Sequence, residues 1–559
     1  MVKRILSFVG KEISGLHEAA YLLALSMVAS LVFALVRDRL MAHILGPGLE
    51  LDVYYAAFRI PDFIYVTAAS LVSTSILVPF FAESLQKGKE ELRSSVQNLF
   101  SAFLALILVI CAIAFVFMRP IEQIIFPKLF AEGMGDMLVS TSRILLLSPI
   151  LLGLAGFFTS ITQVQNRFMV YAISSPLYNV GIISGILFFL PKLGVEGLGW
   201  GVALGALLMA LAQIPLVISD GLFPKFTFAF DWRKIEKIAK LSVPRTITLS
   251  SQQLTSLTLV SFASFLGAGS ISIFNLSLNL QSVPLGIIGA SYSSAAFPVL
   301  ARLYADRKHE EFLSKMIAAA RHVIFWSIPI SVLFIVLRAQ IVRTVLGSGE
   351  FTWSDTRLTA AALALFIISS VGQSLILLFV RSFYAEGKTA KPLLLNVIST
   401  TATIICGFLL IKSFRSFPLF AYFIQSLMKT DGSVDSAVLM LPLAFSFGIL
   451  LNLYLHWDSF VRQFPSFSVP VRKTFFQTLS ASIIGGYAAY FSLRFFDDMF
   501  NLSTTFGVFL QGLCAGLVGI AGIIIILALL KSEELRDIKE ALKHKVWKVD
   551  RASLDQMPS

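Results

Sequence analysis

Residues 98–118 read NLFSAFLALILVICAIAFVFM, 21 residues without a charge. A bilayer's hydrocarbon core of about 30 Å takes roughly 20 apolar residues in helical form. Within it, each backbone N–H and C=O must be satisfied internally, which a helix achieves. The stretch is therefore a membrane-spanning helix. Working outward in both directions, the same reading recurs at 19–36, 53–81, 144–164, 169–190, 195–219, 243–267, 271–300, 317–337, 358–379, 393–411, 434–456, 475–493 and 505–530. With 98–118 as the third, this predicts an all-α membrane protein of about fourteen spans. The second is interrupted by Pro61, and the eighth also contains Pro and many small or polar residues.

Composition agrees. The 559-residue chain is 56% hydrophobic and 14% charged, whereas soluble domains carry about 25% charged residues. No segment shows the alternating polarity of a barrel strand. The first apolar run passes directly into Arg37, Asp38 and Arg39 with no small-residue cleavage site, and so reads as a retained first span. Cys111, Cys406 and Cys514 lie far apart inside spans and read as small apolar fillers.

The net charge is +12. With the N-terminus inside, about 31 of the 45 Lys and Arg fall in inside segments, the asymmetry of cytoplasmic loops. Both termini are then cytoplasmic. The basic tail can also touch anionic headgroups. A nucleic-acid role is not supported, because no basic patch joins a recognisable reading module.

The second half repeats the first at a spacing of about 220 residues, as in parallel-repeat transporters. AHILGPG at 42–48 matches ASFLGAG at 263–269, and Pro61 matches Pro284. Residues 78–83 match 297–302, 89–92 match 309–312, and 175–179 match 391–396 with one insertion. Six spans per repeat give both lobes the same orientation. The expected organisation is an N-lobe at 1–219, a cytoplasmic amphipathic linker at 220–241, a C-lobe at 242–456, two extra spans within 457–530 and a basic cytoplasmic tail at 531–559. Residues 533–547 read as a second amphipathic helix. Two such lobes imply a cleft that faces either side of the membrane in turn.

Enzyme chemistry finds no footing. There is no GxSxG elbow, HExxH or phosphate-binding loop, and no two histidines have helical metal-ligand spacing. No catalytic residue, metal or cofactor is expected. Transport would draw on an ion gradient, the membrane potential or substrate turnover.

Charges at membrane depth carry the functional signal, because each costs about 2.5–3.5 kcal/mol unless it faces a cavity or a partner. They cluster as Arg37, Asp38, Arg39, Asp52, Arg59 and Asp62. Arg59 stands two residues before Pro61, where span two should bend and aim the guanidinium into the cleft. Arginine stays protonated and grips phosphate bidentately. The plainer alternative is that Arg37 and Arg39 cap span one at the outer headgroups. In span eight, Asn275, Asn279 and Ser282 share one helical face that turns to the cleft or to a neighbouring helix. Span seven offers Ser250, Ser251, Gln252 and Gln253, and Arg381 reads as an interfacial anchor.

The run RDRLMAHILGPG at 37–48, LDVYYAAFRIP at 51–61 and VP at 78–79 resembles the opening of MurJ-type lipid II flippases, in the multidrug/oligosaccharidyl-lipid/polysaccharide exporter superfamily. The resemblance implies two six-span lobes plus two helices that form a lipid-tail groove. It further implies translocation of undecaprenyl-pyrophosphate-linked peptidoglycan precursor to the outer leaflet by alternating access. On matching positions it places Arg37 in the substrate cleft with Asp52 and Arg59 nearby, and the reading of membrane-depth charge and of the polar face of span eight adds Asp38, Asn275 and Asn279 as candidates. The implied partners are the lipid-linked anionic glycan, membrane lipids and other cell-wall synthesis proteins. Where such proteins usually carry further arginines, this chain has Leu31, residues 63–66 (FIYV) and Asn279, and span eleven has Asn396, Thr400 and Thr401 without an acid. Export of another polyprenyl-linked oligosaccharide, cation-coupled drug export and a non-transporting membrane scaffold are the alternatives.

Overall fold

The computed structural model describes residues 16–540 apart from 70–73, 166, 229 and 431–435. The basic residues expected before span one, and the tail beyond 540, lie outside the described residues. All regular structure among the described residues is helical. Among the described residues, ten helices are long and apolar enough to cross a membrane, the longest Lys89–Ile125. The other predicted spans are helices too. Span one is Leu16–Leu45, span seven lies within Trp232–Ser264 and span thirteen within Ser468–Asp497.

Span two comprises the helices Leu49–Ala57 and Arg59–Ala69 and, past the undescribed residues 70–73, Thr74–Gln86. The first break falls at Phe58, before Pro61 rather than at it. A proline ring collides with the carbonyl four residues earlier; here that residue is Ala57, the last of its helix. Pro61 then sits in the first turn of the next helix, where its missing N–H costs little. In span eight the helix Ser270–Pro284 gives way to a wider π turn at Leu285–Ala290 and resumes at Ser291–Ala305.

The stretch 220–241 does not form a helix of its own. The chain is irregular to Asp231, and the helix that starts at Trp232 runs without a break through span seven. No glycine occurs between 232 and 264 to stop it. The Asp231 carboxylate accepts hydrogen bonds from the backbone N–H groups of Arg233 and Lys234, capping the helix start.

One apolar core is common to both halves. It gathers Met41, Leu51 and Tyr54 with Leu259, Ile271, Phe274 and Phe366, at the end of the bundle that carries the 46–48 turn. Towards the opposite end the cores separate. One is built from Phe81, Phe103 and Phe157, the other from Phe312, Phe379 and Phe460. Spans thirteen and fourteen pack on each other and, through Ala481, Ala489 and Ile523, on Phe325 and Leu333 of span nine. Just beyond span fourteen, Arg321 binds Glu533 at 2.6 Å and Glu534 at 2.7 Å, and Lys473 reaches Glu533 at 3.3 Å.

Candidate substrate site between the two halves

Below the shared core, one face of the helix Ser270–Pro284 meets the charged residues of spans one and two on three successive turns. Residues 272, 275 and 279 fall on that face because they are three and four apart.

Asp52 occupies the first turn. Its Oδ2 accepts from the N–H of Gly269 at 2.8 Å, and its Oδ1 accepts from the N–H of Ser272 at 2.7 Å and the Ser272 hydroxyl at 2.6 Å. A helix start leaves backbone N–H groups without partners and carries partial positive charge. Asp52, itself buried, satisfies both demands from the other half of the molecule. In this conformation it is a cross-link between halves.

Gly269 takes φ +86°, a backbone conformation that suits glycine. A Cβ there would come within 2.9 Å of the Pro47 carbonyl oxygen. The two matched glycine turns, 42–48 and 263–269, thus meet face to face. Further links lie at this end: the Glu350 N–H donates to the His43 carbonyl at 3.0 Å, and Arg39 Nη1 donates to the carbonyl of Thr344 at 2.5 Å. Arg39 is therefore held by protein across the boundary between halves.

On the second turn, Arg59 donates from Nη2 to Asn275 Oδ1 at 2.5 Å, from Nη1 to the Ser256 hydroxyl at 2.9 Å and from Nε to the Tyr55 carbonyl at 3.2 Å. All three partners are neutral. Asp62, one turn further along, is the carboxylate that acts on it electrostatically. Asn275 is fixed in turn by donating to the Ile271 carbonyl at 2.8 Å.

On the third turn, Arg37 grips Asp38 Oδ1 through Nε at 2.9 Å and Nη2 at 2.8 Å, and donates from Nη1 to Asn179 at 3.2 Å. The free oxygen of the pair, Asp38 Oδ2, accepts from Asn279 at 3.1 Å. Asp38 is buried, while the Arg37 side chain keeps 19% of its exposure. Asn179 also donates to the Ser30 carbonyl at 3.2 Å, which ties span five to span one.

All six predicted site residues thus fall in one strip, with Asn179 and Ser256 as two members that charge-based reading passed over. Asn179 lies in the repeated 175–179 stretch, where a neutral amide gives no charge signal. Ser256 belongs to the polar run of span seven but stands three residues past the part singled out. The strip is close to electrically balanced. Arg37 is neutralised by Asp38, and Arg59 is the guanidinium bound wholly by neutral groups.

A second polar region lies inside the C-terminal half. A cavity of about 240 Å³ is bordered by Gln252, Thr255, Gln373, Asn396, Thr400 and Asn452. Asn452 donates to Asn396 at 2.9 Å, and Thr255 and Thr400 are hydrogen-bonded at 3.0 Å.

A family described as "Lipid II flippase MurJ" matches residues 41–420. The probable lipid II flippase MurJ of Haemophilus influenzae is 27% identical over 66% of this chain and 76% of its own length. That of Thermotoga maritima is 26% identical over 74% of this chain and 85% of its own. Among solved structures, a lipid II flippase MurJ in an inward closed conformation superposes with a TM-score of 0.71 at 23% identity, covering 91% of this chain and 99% of its own. An inward-facing multidrug resistance transporter of the MATE family gives 0.62 at 17% identity, covering 82% and 99%.

Proposed function

The chain belongs to the lipid II flippase MurJ family, and we propose that it carries lipid II from the inner to the outer leaflet of the bacterial inner membrane by alternating access. Residues 1–219 and 242–456 act as the two moving lobes, joined by 220–241, with 457–530 as an accessory pair. The bias of Lys and Arg towards one set of loops supports a cytoplasmic location for both termini. The end with the 46–48 turn then faces outward, and its shared core closes the outer side of the path. The halves with separate cores face the cytoplasm, where the substrate is made.

One observation carries this reading: Arg59 and Arg37 stand in the same strip, between halves, with partners that a pyrophosphate can outcompete. Phosphate oxygens bound by arginine make stronger, charge-assisted hydrogen bonds than serine or asparagine can. Taking Arg59 costs the links to Ser256 and Asn275, both in the second half. Taking Arg37 loosens its hold on Asp38 and so the link to Asn279. Binding and release of the two halves are thereby the same event, and ligand free energy shifts the balance between conformations. The apolar surface between Phe334 and Leu337 of span nine and Gly512 and Gly516 of span fourteen suits the polyprenyl chain.

The test is rescue of a strain depleted of its own lipid II flippase. Wild type should restore growth. Arg59→Ala should cut rescue at least tenfold and Arg37→Ala somewhat less, since Arg37 already spends two donors on Asp38. Arg59→Lys should rescue only partly, because an ammonium lacks the bidentate fork. Full rescue by well-expressed Arg59→Ala would remove the site from the mechanism. Failure of wild type, with transport of a different polyprenyl-linked glycan in vesicles, would favour the second reading that Leu31 and Asn279 suggest.

A further inference from the structure

On the membrane-facing side of the N-terminal half, away from the strip, the irregular stretch before span seven and the first turns of its helix lean against span three. They leave a groove of about 420 Å³ between them. Leu99, Phe103 and Val109 form one wall, and Phe230, Trp232 and Ile235 the other. This volume is that of a small-ligand site. The groove opens onto hydrocarbon, because the neighbouring side chains of Leu106, Leu108 and Val109 on span three are exposed.

Its mouth has a different chemistry. Phe226, Phe228 and Trp232 are exposed, Phe228 at 84%. Exposed aromatics beside basic residues mark the level of the headgroups. Arg233 is exposed in the first helical turn, and Lys225 is exposed just before it. Lys234 is held at the rim by Glu91 at 2.8 Å and the Ser95 hydroxyl at 3.2 Å. The helix N-terminus is already capped by Asp231, so an anion here would be gripped by side chains.

We propose that this groove binds one anionic phospholipid, with an acyl chain between span three and the 230–239 segment and the phosphate against Arg233, beside Lys234, whose charge is shared with Glu91 and Asp231. An apolar slot with a cationic, aromatic-lined mouth at headgroup depth complements a negatively charged lipid and discriminates against a zwitterionic one. Anionic lipids attract basic segments at this surface. The site sits on the connection between the two halves and is independent of the flippase reading.

Native mass spectrometry of the full-length, delipidated protein tests it, with phosphatidylglycerol and phosphatidylcholine as probes. Wild type should retain one phosphatidylglycerol at least tenfold more tightly than phosphatidylcholine. Arg233→Glu should abolish that preference. Ala105→Trp, which fills the groove, should lose one bound lipid per chain while keeping its helical melting curve; Ala102→Trp serves if it does not fold. Equal retention of the two lipids by wild type overturns the proposal. So does undiminished phosphatidylglycerol binding by a folded groove-filling variant, or displacement of that lipid by undecaprenyl phosphate, which would assign the groove to the substrate path.

Discussion

The two ends of the bundle are built on different terms. At the end with the 46–48 turn, both halves contribute to one apolar core, and the polar groups beside it are bonded across the boundary. At the other end each half keeps its own core. Lipid supplies no hydrophobic drive between helices that it solvates equally well. What holds the joined end must therefore be close packing and specific hydrogen bonds, and only groups placed to within a few tenths of an ångström can supply them. A closure made this way is strong when complete and is weakened sharply by the loss of one partner, which suits a gate that must open.

The most damaging single change should be Asp52→Ala. It removes the acceptor of two buried backbone N–H groups and a hydroxyl at once. Each of the three orphaned donors costs about 1–3 kcal/mol, so the joined end should lose about 3 kcal/mol or more. In a background without Cys111, Cys406 and Cys514, a cysteine placed at the half-buried Pro47 should react markedly faster with a membrane-impermeant maleimide in Asp52→Ala cells than otherwise. Equal protection in the two would mean that the link to 269–272 does not keep this end shut. Asp52→Asn, which retains one acceptor, should fall between them.

Gly269→Ala sharpens the same contrast with a smaller effect. The left-handed backbone at this position costs a side-chain-bearing residue about 1–2 kcal/mol, and the added Cβ must also push back Pro47. Cysteine protection at this end should drop, though less than for Asp52→Ala. Gly221, also at positive φ but with open space around its Cβ position, is the control. Gly221→Ala should pay the backbone cost without changing protection at the joined end.

How much of this was legible beforehand follows from the range of the interactions. Each span announces itself within about 20 residues, so uncharged runs such as 98–118 predicted helices reliably. Pro61 predicted a break, and its steric action on Ala57 explains why the break lies three residues earlier at Phe58. The charged cluster at 37–62 and the polar face of span eight were visible as separate features. Their meeting was not, because Asp52 and Ser272 are 220 residues apart and no local pattern encodes that pairing. An acidic residue near membrane depth reads most simply as a ligand for substrate or cation. Whether it instead caps a distant helix depends on which N–H groups the fold delivers to it. Asn179 and Ser256 were passed over for a related reason, since a neutral side chain in a span becomes informative only once an arginine is found against it.

The smallest effect is expected far from the strip, where the segment after span fourteen is tied to span nine. Burial alone would raise the pKa of Glu534, but hydrogen bonds from the Ser532 and Thr474 hydroxyls and from Arg321 outweigh it and hold the carboxyl down at about 2. A carboxylate with a depressed pKa stabilises the folded form above its ordinary value of 4.5 and loses that contribution as pH falls from there toward 2. Proteolytic nicking after residue 530 should thus be slow at pH 7 and accelerate below pH 4.5. Glu534→Gln keeps the shape and removes the charge. It should weaken the attachment by on the order of 1 kcal/mol at neutral pH and flatten the acid response. The joined end, which has no share in this network, should show the same cysteine protection as wild type. A rise in reactivity at Pro47 in Glu534→Gln would mean that the accessory spans and the outer closure are coupled, and that the two ends of the bundle are less independent than their cores suggest.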